Sequence, residues 1–416
     1  MPAKHPRLTL KPALLAVLLA FPAQQALAAD CTWDTTTGNW NLASNWDCGI
    51  VPSGGPDTAT IGAAGVVTID SVQSVLNLDN AAGQINIDAS QFTLGTNGSS
   101  TNTGTINVGA GAGPNNATLN INSGHSLSNT GGVIDVSADS VINQLGATIT
   151  GGTISTTGSG VLDANNSSNN FLSGVTLNGT LDLATSTGVE RVTNGLTLGG
   201  EIKVNSNSVL AFQGSQSLSG SGAITLGSTG SSNRVAIDAG GTLTVGTDIL
   251  IHGQNGTIGG IVYVAGSNQL DNGGTLSADV SGGSIRLAAV QTNNSGTLSA
   301  ANGGQLVLDG AVTNIGGGHI DATGAGSKVS QSGITVTGGT INTSGGGSFV
   351  ATNSASNYLD GVTLNGTLDL ATSVAVERVV NGLTLNGAVN VNSNSALVFH
   401  GDQTLSGNGS INLGST

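Results

Sequence analysis

Three glutamates occur in this 416-residue chain, and two of them, Glu190 and Glu377, stand directly before an arginine (Arg191, Arg378) in a repeated VERV phrase. A carboxylate beside a guanidinium suits two kinds of chemistry. Glycoside hydrolysis needs two carboxyl groups roughly 5–10 Å apart. Elimination from acidic sugars needs a basic side chain with carboxylates or calcium beside it. The bland reading is an ion pair at a corner of the fold, which contributes little stability when exposed, and it is the one expected here. The five histidines (His5, His125, His252, His319, His400) fall in unrelated phrases and form no ligand pair. Aspartates such as Asp70, Asp79, Asp135, Asp238 and Asp321 stand alone, without the calcium repeat GGxGxDxUx. No GxSxG elbow is present, and the Gly316–Gly318 run has no lysine at phosphate-loop spacing. No catalytic, cofactor-binding or metal-binding residue is assigned, and no cofactor is expected.

The other chemically distinctive residues cluster near the start. Residues 30–62 hold both cysteines (Cys31, Cys48) and all three tryptophans (Trp33, Trp40, Trp46). Two thiols are too few for a metal site and no histidine lies nearby, so a Cys31–Cys48 disulfide is the candidate. Closing that loop would add roughly 3 kcal/mol by the chain-entropy estimate. Two readings are open for the tryptophans: stacking on sugars, or an N-terminal cap that covers the open end of the fold. The cap is expected.

The elements that must carry these residues follow from a duplication. Residues 171–229, beginning FLSGVTLNGTLDL, recur without a gap at 358–416, beginning YLDGVTLNGTLDL, and the likeness extends upstream to blocks 151–229 and 338–416. The two VERV phrases therefore lie about nine turns apart, or roughly 43 Å at strand spacing, and cannot share one active site. Inside each block a shorter period appears, for Leu181, Ile202 and Ile224 return about every 21 residues, as do Leu183, Val204 and Leu226. Each pair flanks one polar residue, the alternation of a half-buried strand, and Gly or Asn-Gly precedes it. The chain is expected to be all-β, a single-stranded parallel β-helix over residues 63–416 with one turn per period. Asn205 and Asn207, matched by Asn392 and Asn394, are expected to form turns and to stack amides between turns. The threonines hold no single column, which sets aside ice binding by a regular threonine face.

Composition agrees. Charged residues make up 8% and aromatics 3%, with 67 glycines, where a globular enzyme would carry about 25% charge. Residues 1–29 read as a secretory signal, with Lys4, Arg7 and Lys11 ahead of the apolar run Ala13 to Phe21 and Ala26-Leu27-Ala28 at the cleavage site. Its removal leaves six basic residues against 23 acidic ones and takes the charge from −14 to −17. Such a balance argues against nucleic acid and anionic membranes as partners. The sequence stops inside a repeat, which reads as a fragment or a truncated product.

The tryptophan-rich opening, with Val51-Pro52 and the Asp57–Gly62 phrase DTATIG, resembles the start of large bacterial surface proteins. These are autotransporter-type passengers with β-strand repeats and haemagglutinin-like adhesins, whose repeats NGTLDL, GLTLNG and QTLSGNGSINLG resemble. The resemblance implies a right-handed β-helix outside a Gram-negative cell, serving in adhesion or biofilm formation. Partners on this reading are glycans, host or bacterial surface proteins, or further copies of the chain. On this reading the membrane is reached only through a C-terminal barrel, which the sequence does not show, or through a separate transporter, for which the asparagine–proline motifs of two-partner secretion are missing, so the export route stays open. The expectation is a non-enzymatic surface or secreted protein; the alternative is a β-helical polysaccharide lyase or glycoside hydrolase.

Overall fold

A computed structural model describes residues 28–111, 116–392 and 394–414. The secretory signal expected over 1–29 falls, apart from its last two residues, outside them. Strands of about four residues dominate, and they alternate in burial: Thr118–Ile121, Val133–Val136 and Gln305–Leu308 each read half-buried, buried, half-buried, buried. β-Branched and leucine side chains at every second position suit that pleat. Among the described residues no helix is long and apolar enough to cross a membrane.

Among the described residues the strands pair in parallel, most of them with the third one after, and with the second where one long strand such as Phe171–Asn178 or Tyr358–Asn365 spans two faces. Thr118–Ile121 thus lies between Gln91–Leu94 and Val141–Gln144. One turn of the chain holds three strands, and the result is the expected parallel β-solenoid, of about 16 turns and roughly 75 Å long at strand spacing. Three lateral faces enclose one apolar core. Arg234–Asp238, Asn255–Ile258 and Ser284–Leu287 belong to the first face, and Thr242–Val245, Gln269–Asn272 and Gln291–Asn294 to the second. Thr275–Ala278, Thr297–Ala301 and His319–Thr323 belong to the third. On the third face Leu276, Leu298, Ile320, Ile341, Leu364 and Leu385 stack inward, all buried. Each contributes about 1.5–3 kcal/mol of apolar burial.

Corners are settled by polar chemistry. Inside the core the Asn80 amide donates to Asn102 at 2.7 Å and Asn102 to Asn129 at 2.6 Å. A second ladder runs Asn272, Asn294, Asn314 with 2.8 Å steps. Asn207 and Asn394 take positive φ (67° and 66°), the turn role expected of them. Asn205 accepts the Thr229 N–H at 2.8 Å, so this pair of asparagines shapes turns while the amide ladders run elsewhere. At one corner column, Gly179, Gly200 and Gly222 let successive turns pass so closely that a Cβ on Gly200 would strike the Gly179 carbonyl oxygen; Gly366, Gly387 and Gly409 repeat this. Gly200→Ala should therefore cost about 1–3 kcal/mol through overpacking. An unchanged melting temperature for Gly200→Ala would contradict the close approach.

The duplicated blocks do not lie on the same side. From Phe171–Asn178 the chain makes about eight turns and then advances by one more face to reach Tyr358–Asn365. What the first block places on the first face, the second places on the second.

Candidate functional site

The three tryptophans are built into the end of the core. Strand Asp30–Thr32 pairs with Thr58–Thr60, and Thr37–Asn39 with Val66–Thr68, so segment 30–62 both closes the rod and supplies its first turn. Cys31 and Cys48 are joined in a disulfide. Trp33 and Trp46 meet edge to face at 5.1 Å, Trp40 and Trp46 at 4.7 Å, and Trp40 reaches Phe92 of a later turn at 5.1 Å. The Trp46 indole N–H donates to the Trp40 carbonyl at 2.8 Å, and that of Trp40 to the Pro52 carbonyl at 3.2 Å. All three rings are buried, which leaves no indole face open for a sugar.

The VERV phrases overturn the expected ion pair. Consecutive strand residues point to opposite sides of a sheet, so Glu190 and Glu377 point into the core, where both are fully buried. Arg191 and Arg378 point outward. The Arg191 guanidinium lies 4.6 Å from the Phe171 ring centre and donates to the Ser168 carbonyl and to Gln213. Arg378 lies 5.8 Å from the Tyr358 ring centre and donates to the Ala355 carbonyl. Among the described residues neither glutamate makes an ion pair.

Beside each buried glutamate lies a polar cluster that recurs in both copies, with Thr352 in the place of Asn165. Asn170 accepts the Gly146 N–H at 2.6 Å, and its amide donates to the Asn165 and Val189 carbonyls. Asn357 repeats this with Gly333 at 2.6 Å and with Thr352 and Val376. The Gln144 amide donates to Ala147 and Phe171, and that of Gln331 to Ile334 and Tyr358. Among the described residues, the amide oxygens of Gln144 and Gln331 and all four carboxyl oxygens of the two glutamates make no hydrogen bond of ordinary geometry. Burial drives Glu190 well above the ordinary carboxyl range, with the Arg191 N–H, the Leu172 backbone and Gln144 opposing it. Burial pushes Glu377 up to about 8, against the Arg378 N–H and charge. Burial disfavours the ionised form of both acids, and they stand on different faces roughly 40 Å apart along the axis. No pair of carboxyls results.

The surface that does repeat is the third face. Thr275, Thr297, His319, Thr340, Thr363 and Thr384 form one outward column, with Ser277, Ser299, Asp321, Asn342, Asn365 and Asn386 beside it. Six rungs span roughly 24 Å without an apolar side chain. Neighbouring rungs hold each other: Asn342 donates to Asp321 at 2.8 Å, Asn365 to Asn342 at 3.2 Å and Asn386 to Asn365 at 2.9 Å. His319 lies 3.2 Å from the Thr297 hydroxyl and 3.4 Å from Asp321. The threonines thus do share a column here, contrary to the sequence reading. Turn lengths vary, so a fixed period hides it, but the strand phrases TLS, TLS, HID, TIN, TLN and TLN carry the signal.

The remaining histidines are dispersed. His125 is buried between the Gly95 carbonyl (2.7 Å) and the Ser100 hydroxyl (2.9 Å), and its burial lowers its pKa. His252 pairs with Asp279 at 2.8 Å. Among the described residues no three His, Cys, Asp or Glu side chains converge to hold a metal ion.

No family model matches the chain, and no curated protein matches it either. A solved structure, the TibC-catalysed hyper-glycosylated TibA55-350 fragment, is similar over 84% of this chain and 97% of that one, at 18% identity and a TM-score of 0.31.

Proposed function

We propose that this chain is a secreted or surface-displayed attachment rod, an adhesin-like shaft that acts through rigidity and a polar flank and carries out no catalysis. The observation that supports it is the third face, six successive rungs of hydroxyl, amide and carboxylate groups fixed to a continuous apolar core. Groups held at a strand spacing of about 4.8 Å match an extended, hydrogen-bonding partner such as a glycan lying along the axis. Their mutual hydrogen bonds fix their positions before binding, which lowers the ordering cost of association. The apolar core beneath keeps the six rungs in register. Against catalysis stands the burial of Glu190 and Glu377 on separate faces.

The test is attachment of purified protein to glycan-coated surfaces. Thr340→Arg with Thr363→Arg, both on outward positions, should reduce attachment at least tenfold with the β-sheet circular dichroism unchanged. Glu190→Gln and Glu377→Gln should leave attachment intact. Unsaturated, ultraviolet-absorbing sugar ends released from acidic polysaccharides would overturn the non-catalytic reading.

A further inference from the structure

The first face carries a groove that the third face does not resemble. It has a volume of about 600 Å³ and is lined by Arg234, Asn255, Gly256, Thr257, Ser284 and Arg286, with the turn around Ser231 as its rim. The register sets Arg234 opposite Thr257 and Thr257 opposite Arg286, all on outward positions. Two guanidinium groups therefore stand in one column with a single hydroxyl rung between them, roughly 10 Å apart at two strand spacings. In a chain of net charge −14 this pairing is unusual.

The two arginines differ in their partners. Arg286 is 55% exposed and pairs with Asp309. Arg234 is half-buried, and its side chain has no ion pair or hydrogen bond among the described residues. The other outward arginines, Arg191 and Arg378, are spent on aromatic rings and backbone carbonyls. Thr257 alone stands between the two cations on the outer side, since its neighbour Gly256 occupies an inward position opposite the buried Ile285. The Asn255 amide is already turned inward, donating to the Ser228 carbonyl at 3.3 Å and accepting the Ser284 N–H at 3.2 Å. What remains free at the surface is the Arg234 fork, the Thr257 and Ser231 hydroxyls and one edge of Arg286.

We propose that this groove binds an acidic saccharide chain along the rod axis, with a carboxylate on Arg234 and a second one at Arg286. A planar guanidinium takes a carboxylate through two parallel hydrogen bonds, and the hydroxyl rung between them faces the intervening sugar. Negative charge over the rest of the rod repels such a chain elsewhere, which confines it to this site. The inference goes beyond the attachment reading by naming a ligand class on a separate face, so either can fail alone.

The experiment titrates the full chain with an oligogalacturonate, its carboxyl-reduced neutral counterpart, and inorganic phosphate, followed by calorimetry. The oligogalacturonate should bind, the neutral oligomer should not, and Arg234→Ala should weaken binding at least tenfold. Thr257→Glu, which places a carboxylate between the arginines, should abolish it and serves as the second variant should Arg234→Ala fold poorly. Binding that is unchanged in both variants, or equal for the neutral oligomer, overturns the proposal. Displacement of the oligosaccharide by phosphate at equal concentration overturns the saccharide assignment. Ultraviolet-absorbing product formed only with Arg234 present would support the groove while sinking the non-catalytic reading.

Discussion

Raising the pH from 4.5 to 8 should destabilise this rod steadily, and replacing Glu190 and Glu377 with glutamine should remove most of that slope. The buried Glu377 carboxyl titrates at about 8 in the folded chain, against 4.5 as its ordinary value. Glu190 is shifted in the same direction by the same cause. Below pH 4.5 both the folded and the unfolded chain hold these protons, and the stabilisation is fully present. Between 4.5 and about 8 only the folded chain holds the Glu377 proton, so its contribution falls by about 1.4 kcal/mol per pH unit, and the raised Glu190 acts in the same direction. Above that range the folded state must bury a carboxylate and the contribution is lost. A glutamine keeps the shape and cannot ionise. Glu377→Gln should melt close to the parent at pH 4 and well above it at pH 8.5. Parallel melting curves for parent and double variant across that range would show that the core tolerates the charge.

The second large effect is expected at the other end. Trp40 is fully buried and touches both Trp46 and Phe92, so Trp40→Ala removes the plug that connects the cap to the third turn. Large-to-small changes of this kind cost about 3–5 kcal/mol. In a solenoid each turn touches only its neighbours, so the loss stays local and propagates inward from the end. Hydrogen exchange should therefore rise in the first few turns, around Val67, Ile85 and Ile106, and stay unchanged around Leu298 and Ile320. Reducing the Cys31–Cys48 disulfide should act on the same turns with about 3 kcal/mol. Exchange that rises uniformly along the rod would contradict a local cap.

How much of this could be read from the residues depends on which alternation they show. The strands around Leu181, Ile202 and Ile224 have one apolar parity and one polar parity, so their inward side was plain. VERV has valine at both parities. Nothing in the phrase says whether Glu190 or Arg191 enters the core, and the choice was made by Val192 joining the inner column with Leu172 and Phe212. The tryptophan cap was legible because its composition is unlike anything after it. The Arg234–Thr257–Arg286 column was not, since the turns between those strands differ in length and only the register brings them together. The third-face column was hidden for the same reason.

The offset between the duplicated blocks has a genetic consequence. Homologous recombination between the two copies would excise or insert one repeat while rejoining the same strand phrase, so the ladder would close without a break. Because the repeat is about eight turns plus one face, everything beyond the junction would be re-aimed by a third of a revolution relative to the cap. Such an event would change the rod's length by roughly 40 Å and would also decide which face each later patch presents to its surroundings. Three successive insertions would restore the original bearing, so length variants of this protein should fall into three orientational classes.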